Sequence, residues 1–426
     1  LAHNGLGQRE KAKPYLEGVL RNDPGHTAAK VLANLHLADR NADAAIGVLD
    51  SYLRVRAGDP QAQLLLANAH LGQGRATRAV QILQDALKRA DNPSLRTALG
   101  LAYVGAGRPA EAIRELDLAF TKDPKNLQAG YALGSLHVQM RQAAPAQKVL
   151  QVLERAHPNR PEVLTLGAQA RGLRGDLAGA QAALDAALKV DPAYTPAQIE
   201  VARLAMARND NARAAQALDA VLARDNKNAD AVATLAELSE RSGRLAEAER
   251  WLQRGDEIAG GINPGPALAL VEFQLRQQQV AKAQEALKRA QAKAPDAVPV
   301  LVAGARVALA AGDATQARVQ LGRAATAAGF NVPQLVQIAS LQMTAGQPQA
   351  AAHSLDKALG ERPDHLPALA MRAEVDIRLG ELASAEQRIR KVLATAPRSG
   401  IGQALSGDLS EARRQPDVAL AAHRRA

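Results

Sequence analysis

Apolar and polar residues alternate with the period of a helix along Asp91–Pro124, in two runs that a short turn separates. The second run carries Ala112 and Leu116, four residues apart, so both side chains lie on one face of a helix. The segment 105–108, Gly-Ala-Gly-Arg, interrupts the periodicity between the runs. The pattern predicts two amphipathic helices joined by a turn.

The same pattern returns every 33 to 35 residues along the chain when the copies are aligned on one turn residue, Gly107 in this stretch. An alanine follows each turn residue by five positions, and a leucine (or Ile389) follows that alanine by four, with His423 in the last copy as the exception. A small residue precedes the turn by seven positions, except for Val271. The turn residues are Gly7, Arg40, Gly74, Gly107, Arg141, Gly175, Asn209, Gly243, Gln278, Gly312, Gly346, Gly380 and Arg414. The alanines are Ala12, Ala45, Ala79, Ala112, Ala146, Ala180, Ala214, Ala248, Ala283, Ala317, Ala351, Ala385 and Ala419.

Close packing explains this register. We expect the small residue of the first helix to meet the alanine of the second helix, because a larger side chain would hold the two axes apart. One helix pair cannot bury its apolar face alone, so neighbouring pairs are expected to stack into a continuous core. Glycine at the turn allows the positive φ that ends the first helix. Proline seventeen residues after many of the turns is expected to end the second helix.

The order Leu99-Gly100-x-x-Tyr103, then Ala112-x-x-x-Leu116, then Pro124, resembles the tetratricopeptide repeat, a helix–turn–helix unit of about 34 residues. The resemblance implies an all-α solenoid that winds into a right-handed superhelix. It also implies that partners bind in a concave groove lined by the first helix of each repeat.

One segment departs from the register. Four glycines and two prolines fall within 255–266, next to the one interval of 35 residues. We expect the second helix of the eighth repeat to end early or bend there. The predicted organisation is an array of repeats 1–8 over 1–254, an irregular link over 255–266, and repeats 9–13 over 267–426. Because Leu1 and Ala426 both fall inside repeats, the chain is expected to be part of a longer protein.

Composition narrows the classes of function. The chain has 426 residues, no cysteine and a formal charge of +10. The lack of cysteine excludes a disulfide framework, thiol catalysis and cysteine zinc sites. Charges of both signs alternate along most helices, as around Glu237 and Arg241, so nucleic-acid binding is not expected. No apolar run is long enough to span a bilayer, which leaves membrane attachment to a segment preceding Leu1.

No catalytic motif is present, so an enzyme is not expected and no cofactor is predicted. His3, His36, His70 and His137 share one position of the repeat, where another copy carries Tyr103. Four stacked histidines could suggest a metal site, but each helix supplies only one, and tyrosine fills the same position as a packing ring. Packing is therefore the favoured interpretation, and no metal site is predicted.

The first helices supply the candidate binding residues. Those expected to face the groove lie thirteen, ten, six and three residues before each turn. A groove with apolar residues on both sides of Glu272 and Arg306 suggests a ligand site, although the apolar residues could instead support contacts between neighbouring repeats. The predicted partner-binding residues are Tyr131, Arg203, Met206, Glu237, Leu268, Glu272, Leu275, Val302, Arg306, Leu309, Val336 and Met343.

A protein or peptide is the favoured partner. Carbohydrate sites use exposed aromatic rings, and the chain has only nine aromatic residues. Some tetratricopeptide proteins grip a C-terminal carboxylate with a Lys/Asn clamp. Lys30 and Asn34 match its first pair, but Leu65, Ser94 and Ala98 stand where its other members belong, so that mode is not expected.

The sequence segments 189–197 and 362–369 are similar to the repeats of long bacterial tetratricopeptide proteins, most of all those of the tetratricopeptide lipoprotein of the PEP-CTERM/exosortase system. That similarity implies a periplasmic or outer-membrane-associated scaffold in exopolysaccharide or protein sorting. The alternative is a polysaccharide-export scaffold that contacts glycan or exporter components. A cytoplasmic location stays open.

Overall fold

A computed structural model describes residues 9–261 and 263–426. The predicted turn at Gly7 and His3 lie outside the described residues. The described part of the chain forms twenty-five α-helices and no strand. Even-numbered helices are the first helices of the repeats, and odd-numbered helices are the second helices. Their bounds are α1 Arg9–Asn22, α2 Ala28–Ala38, α3 Ala42–Val55, α4 Pro60–Gly72, α5 Ala76–Leu87, α6 Pro93–Gly105, α7 Pro109–Lys122, α8 Leu127–Gln139, α9 Ala143–Ala156, α10 Pro161–Leu173, α11 Leu177–Val190, α12 Thr195–Ala207, α13 Asn211–Arg224, α14 Ala229–Arg241, α15 Leu245–Ala259, α16 Gly265–Arg276, α17 Val280–Lys293, α18 Val298–Ala310, α19 Ala314–Ala327, α20 Val332–Thr344, α21 Pro348–Glu361, α22 Leu366–Leu379, α23 Leu382–Thr395, α24 Gly400–Ala412 and α25 Pro416–His423.

The helices belong to two compact units, Leu1–Val221 and Leu222–Ala426, and the division falls inside α13. In the first unit, the helices α1 to α12 pack against one another in chain order, and each of the first helices α2 to α10 also packs against the following first helix, as α8 does on α10 and α10 on α12. The interior is built from short apolar residues such as Ala102, Leu133 and Leu150.

The second unit follows the same rule. Helices α14 to α25 pack in chain order, and first helices contact each other in the pairs α16–α18, α18–α20, α20–α22 and α22–α24. One core cluster surrounds Phe273 and another surrounds Leu335 and Ile338. Stacking of helix pairs into shared cores is the arrangement that the repeat register predicts.

The turn residues confirm the register in detail. All twelve that the structure describes have a positive φ, from Arg141 at 55° to Gly380 at 80°. Seven are glycine, for which this backbone region carries no Cβ penalty. The other five are Arg40, Arg141, Asn209, Gln278 and Arg414, which adopt the same conformation with a side chain.

The alanine five residues after each turn is buried throughout. None of the thirteen exposes more than 3% of its surface. Where the small residue seven positions before the turn is Gly100 or Gly134, the atom nearest to an added Cβ belongs to the leucine of the second helix. A Cβ on Gly100 would lie 2.5 Å from Cγ of Leu116 and 3.3 Å from the backbone oxygen of Ala112. In this repeat the leucine covers the small residue, and the predicted contact with the alanine is made through the backbone oxygen of the alanine.

The prolines end the second helices as predicted. α7 ends at Lys122 and α11 ends at Val190, each two residues before its proline. The proline ring cannot continue the helix and disfavours helical geometry in the residue before it.

The second helix of the eighth repeat was expected to end early or bend, and it does not end early; a bend stays a prediction. α15 continues through Gly255 to Ala259 and is the longest helix among the described residues, with 15 residues. The buried Asp256 connects the last turn of α15 to α17. Its carboxylate accepts a hydrogen bond from Nε of Arg289 at 2.8 Å and one from Nζ of Lys293 at 2.6 Å. These partners on α17 offset the low helix preference of Gly255. Between α15 and α16, the described residues 260, 261, 263 and 264 lie outside any helix, and Gly260 has a φ of 59°.

Candidate functional site

Side chains six residues before the turn lie on the surface of the first helices. Arg203 on α12, Glu237 on α14 and Arg306 on α18 are exposed, and Glu272 on α16 is half-buried. All four occupy the same position of their repeats, and in the second unit Glu237, Glu272 and Arg306 form a row of charged side chains on successive first helices. Contact of this row with a partner stays a prediction.

Three predicted site residues are buried instead. Met206 exposes 2% of its surface, Val302 exposes 5% and Met343 exposes 8%. Val302 and Met343 belong to one core cluster of the second unit. Packing within the array covers these three side chains. These three residues support the fold, and the expectation that they are open to a ligand is corrected.

The remaining predicted residues are partly accessible. Leu268 and Leu275 on α16 pack against one core cluster, and Val336 on α20 packs against another, each with part of its surface free. Leu309 is half-buried, and Tyr131 on α8 is 38% exposed. A continuous open apolar strip is therefore not formed by the described residues of the second unit.

In the second unit, ion pairs link charged side chains on successive first helices. Arg306 on α18 pairs with Glu272 on α16. Arg276 on α16 donates from Nη2 to both carboxylate oxygens of Glu240 on α14, at 2.9 and 3.0 Å. Such pairs satisfy charges within the protein, so a partner at these positions would have to compete with them.

A pocket of about 720 Å³ opens among the first helices α8, α10 and α12 in the first unit. Its floor is formed by Ala180 and Leu184 of the second helix α11, and its sides include Val138 and Leu173. Sequence reasoning missed this pocket, although a signal was present. Gly172 stands three residues before its turn, where the other repeats from the second to the thirteenth carry a larger side chain. The pocket lies where that side chain is missing.

Polar groups line the mouth of the pocket. Oε1 of Glu200 accepts a hydrogen bond from Nε2 of Gln169 at 2.8 Å and another from Nη1 of Arg203 at 2.5 Å. Arg141, which also lines the pocket, makes no side-chain hydrogen bond or ion pair with the described residues. The predicted residue Arg203 therefore belongs to this pocket, together with Arg141, Gln169 and Glu200, which were not predicted.

The stacked histidines that are described do not form a group with metal-ligand spacing. His137 contacts Gln142 through Nδ1 at 2.7 Å, and His70 is buried on α4, where burial lowers its pKa. In the described part of the chain, only Asp408, Glu411 and His423 have donor atoms close enough to share an ion, and all three residues are exposed. Exposed acidic groups of this kind are common without a metal, so no metal site is assigned there.

Some of the basic residues near the C-terminal end are paired with carboxylates of the protein. Arg372 and Arg388 both contact the fully buried Asp376, and Nη2 of Arg413 lies 2.6 Å from Glu386. Among the helices that the structure describes, none combines the length and the apolar character that a bilayer-spanning segment requires.

Comparison with known proteins gives one family. A model of the tetratricopeptide repeat matches residues 5–69, 40–102, 103–170, 205–264 and 342–409, more than half of the chain. No curated protein matches the sequence.

Solved structures of similar architecture are distant in sequence. Yeast Tom70 is 15% identical, with a TM-score of 0.49, and 93% of this chain and 96% of that chain are covered. A tetratricopeptide repeat protein from Parabacteroides merdae is 14% identical, with a TM-score of 0.49 and coverage of 65% and 98%. YrrB, a tetratricopeptide repeat protein with an unusual peptide-binding site, is 16% identical, with a TM-score of 0.36 and coverage of 43% and 95%.

Proposed function

The chain belongs to the tetratricopeptide repeat family, and we propose that it is a non-enzymatic scaffold that binds a peptide or a segment of a partner protein on the first helices of its repeats. Proteins of this family are generally scaffolds without catalytic activity, and their fold is consistent with protein–protein interaction. The proposal therefore starts from the family and places binding on a particular surface of this chain.

The pocket among α8, α10 and α12 is the observation that carries the proposal. It combines half-buried apolar walls, such as Leu173 and Leu177, with charged groups at its mouth, Arg203 and Glu200. Small convergent sets of polar groups around an apolar hollow are typical of ligand sites.

We further propose that the scaffold acts in the bacterial envelope, in an exopolysaccharide or protein-sorting system, and is periplasmic or outer-membrane-associated. The support is the similarity of the repeat phrases at 189–197 and 362–369 to proteins of that kind. Membrane attachment through a segment preceding Leu1 belongs to the same proposal. Fractionation of the full-length protein would test it: recovery with the envelope supports the proposal, and recovery with the cytoplasm contradicts it.

Site-specific photo-crosslinking in the cell that makes the protein tests the scaffold proposal. A photoreactive amino acid replaces Arg203 on the first helix α12, and a matched control replaces Asp185, an exposed residue on the second helix α11. The proposal predicts a crosslinked polypeptide at position 203 and none at position 185. Crosslinks at both positions alike, no crosslink, or attachment to glycan alone would contradict it.

A further inference from the structure

Gly172 leaves a vacancy on the first helix α10 that the fold does not fill. A Cβ built on this residue has no protein atom outside its own helix backbone within 4 Å. The equivalent residues of the neighbouring repeats are Val138 on α8 and Met206 on α12. Glycine at this place in a helix gives up side-chain packing and conformational stability, and no positive φ requires it.

The walls around the vacancy are apolar. Val138, Leu173 and Leu177 each keep part of their surface accessible, and Ala207 is exposed beside them. Leu184 and Ala180 close the floor and are buried. The volume of about 720 Å³ has room for one large apolar side chain together with part of the backbone that carries it.

The charge at the mouth of the pocket is positive. The charged lining residues are Arg141, Arg203 and Glu200. Glu200 is already engaged by Gln169 and Arg203, and its side chain is only 14% exposed. Arg141 has no acceptor among the described residues, and Arg203 remains 48% exposed. A ligand that supplies a carboxylate therefore complements this rim.

We propose that this pocket receives one large apolar side chain of a partner peptide, with an aspartate or glutamate next to it that contacts Arg141. The inference rests on the proposed scaffold function and assigns the chemistry of its ligand. The vacancy at Gly172 selects the apolar side chain, and the guanidinium of Arg141, which has no acceptor among the described residues, selects the acidic neighbour.

A combinatorial library of dodecapeptides, acetylated and amidated, tests the proposal on the purified 426-residue chain. The expected enriched peptides share a leucine, isoleucine, methionine or phenylalanine beside an acidic residue. Replacing that apolar residue with alanine is expected to lower the affinity about tenfold or more. Enrichment of peptides without this pair, or no enrichment at all, would overturn the proposal.

Gly172→Leu is the direct test of the vacancy, because its side chain enters the pocket from α10. It is expected to lower the affinity of the enriched peptide about tenfold or more. Gly72→Leu is the matched control: Gly72 is an exposed helical glycine that does not line the pocket, and a Cβ on it would also meet no protein atom within 4 Å outside its own helix backbone. Equal affinities of the two variants would place the peptide elsewhere and overturn the proposal.

Arg141→Gln tests the acidic neighbour without relying on Gly172→Leu. The comparison uses the enriched peptide and a second peptide in which its acidic residue is replaced by glutamine or asparagine. The unaltered protein is expected to bind the acidic peptide several-fold more tightly than the second peptide, and the variant is expected to bind both with equal affinity. Arg40→Gln is the control, since Arg40 is also a turn arginine with positive φ and lies outside the pocket. If Arg141→Gln kept the preference for the acidic peptide, the assignment of Arg141 as the contact of the acidic residue would be overturned. Binding only by a library with free C-termini would assign the carboxylate to a chain end and overturn it as well.

The two proposals fail separately. A peptide that binds but ignores Gly172→Leu leaves the scaffold function standing and removes the pocket as its site. A missing crosslink at position 203 in the cell removes the scaffold function, whatever peptides the library yields.

Discussion

Gly100 lies directly under Leu116: a Cβ on the glycine would stand 2.5 Å from Cγ of the leucine. The two residues belong to the first and second helices of one repeat, α6 and α7. The contact shows how closely the two helix axes approach, and it explains why the small residue and the leucine recur in phase.

Gly100→Ala and Gly172→Ala are therefore expected to have opposite effects. The first forces Leu116 to move, and overpacking of this kind costs roughly 1–3 kcal/mol. The second meets open space, so alanine should stabilise α10 by about 0.5–1 kcal/mol. Urea unfolding measures both variants. If both variants changed the free energy of unfolding equally and with the same sign, the helix preference of alanine over glycine, rather than packing, would determine stability at these positions.

The turn residues give a second prediction. Gln278 has a φ of 56°, a region that costs an L-residue with a side chain roughly 1–2 kcal/mol. Gln278→Gly should raise the midpoint of urea unfolding, because glycine adopts this conformation without that cost. Gly312→Gln, at the same position of the next repeat, should lower it. A destabilising Gln278→Gly would mean that the glutamine side chain contributes contacts worth more than the backbone cost.

Acid stability depends on Asp59. Burial raises the pKa of this carboxyl, but hydrogen bonds from Tyr52 and Lys30 outweigh burial and bring the pKa to about 2. Because that is below the value of about 3.9 in an unfolded chain, the stabilisation is present above pH 4 and is lost as pH falls through 2.

Tyr52→Phe removes one of the two side-chain donors to Asp59. Its destabilisation relative to the unaltered protein should be largest above pH 4 and should shrink as pH falls toward 2, because Asp59 becomes progressively protonated in both proteins. Tyr103→Phe is the control: the hydroxyl of Tyr103 accepts a hydrogen bond from Gln84 and contacts no carboxylate among the described residues. Thermal unfolding from pH 5 to pH 2 gives the comparison. A Tyr52→Phe effect independent of pH would contradict the assignment.

The predicted seam at 255–266 can be tested through Asp256. Limited proteolysis is expected to cut first in this segment, apart from the termini, since residues 260, 261, 263 and 264 lie outside any helix. Asp256→Asn weakens the bonds to Arg289 and Lys293, leaves a buried ammonium without its charge partner, and should make the cut faster. Glu285→Gln, which alters an exposed pair with Lys288, should leave the rate unchanged. First cleavage at Gly175 would contradict the seam.

Much of the fold could be predicted from the sequence because the repeat fixes local geometry. The turn residues, the buried alanines and the prolines that end helices such as α7 all depend on neighbours close in the chain. One copy of the pattern was enough to align the other twelve.

The sequence did not reveal features that depend on contacts between repeats. Met206, Val302 and Met343 looked accessible because their positions face the groove on an isolated helix, yet adjacent helices cover them. α15 continues past Gly255 because Asp256 meets Arg289 and Lys293, which lie 33 and 37 residues later. The sequence shows that Gly172 differs from the larger residues at the same position of the other repeats, but only the structure shows that no neighbouring side chain fills the space beside it.

Hydrogen exchange of the 426-residue chain, with and without a saturating enriched peptide, tests whether the first helices bind the partner. We expect slower exchange in α10 and α12 and at the C-terminal end of α8, with no change in the second helices α7 and α9. Slower exchange confined to α7 and α9 would place the partner on the opposite surface and contradict binding on the first helices.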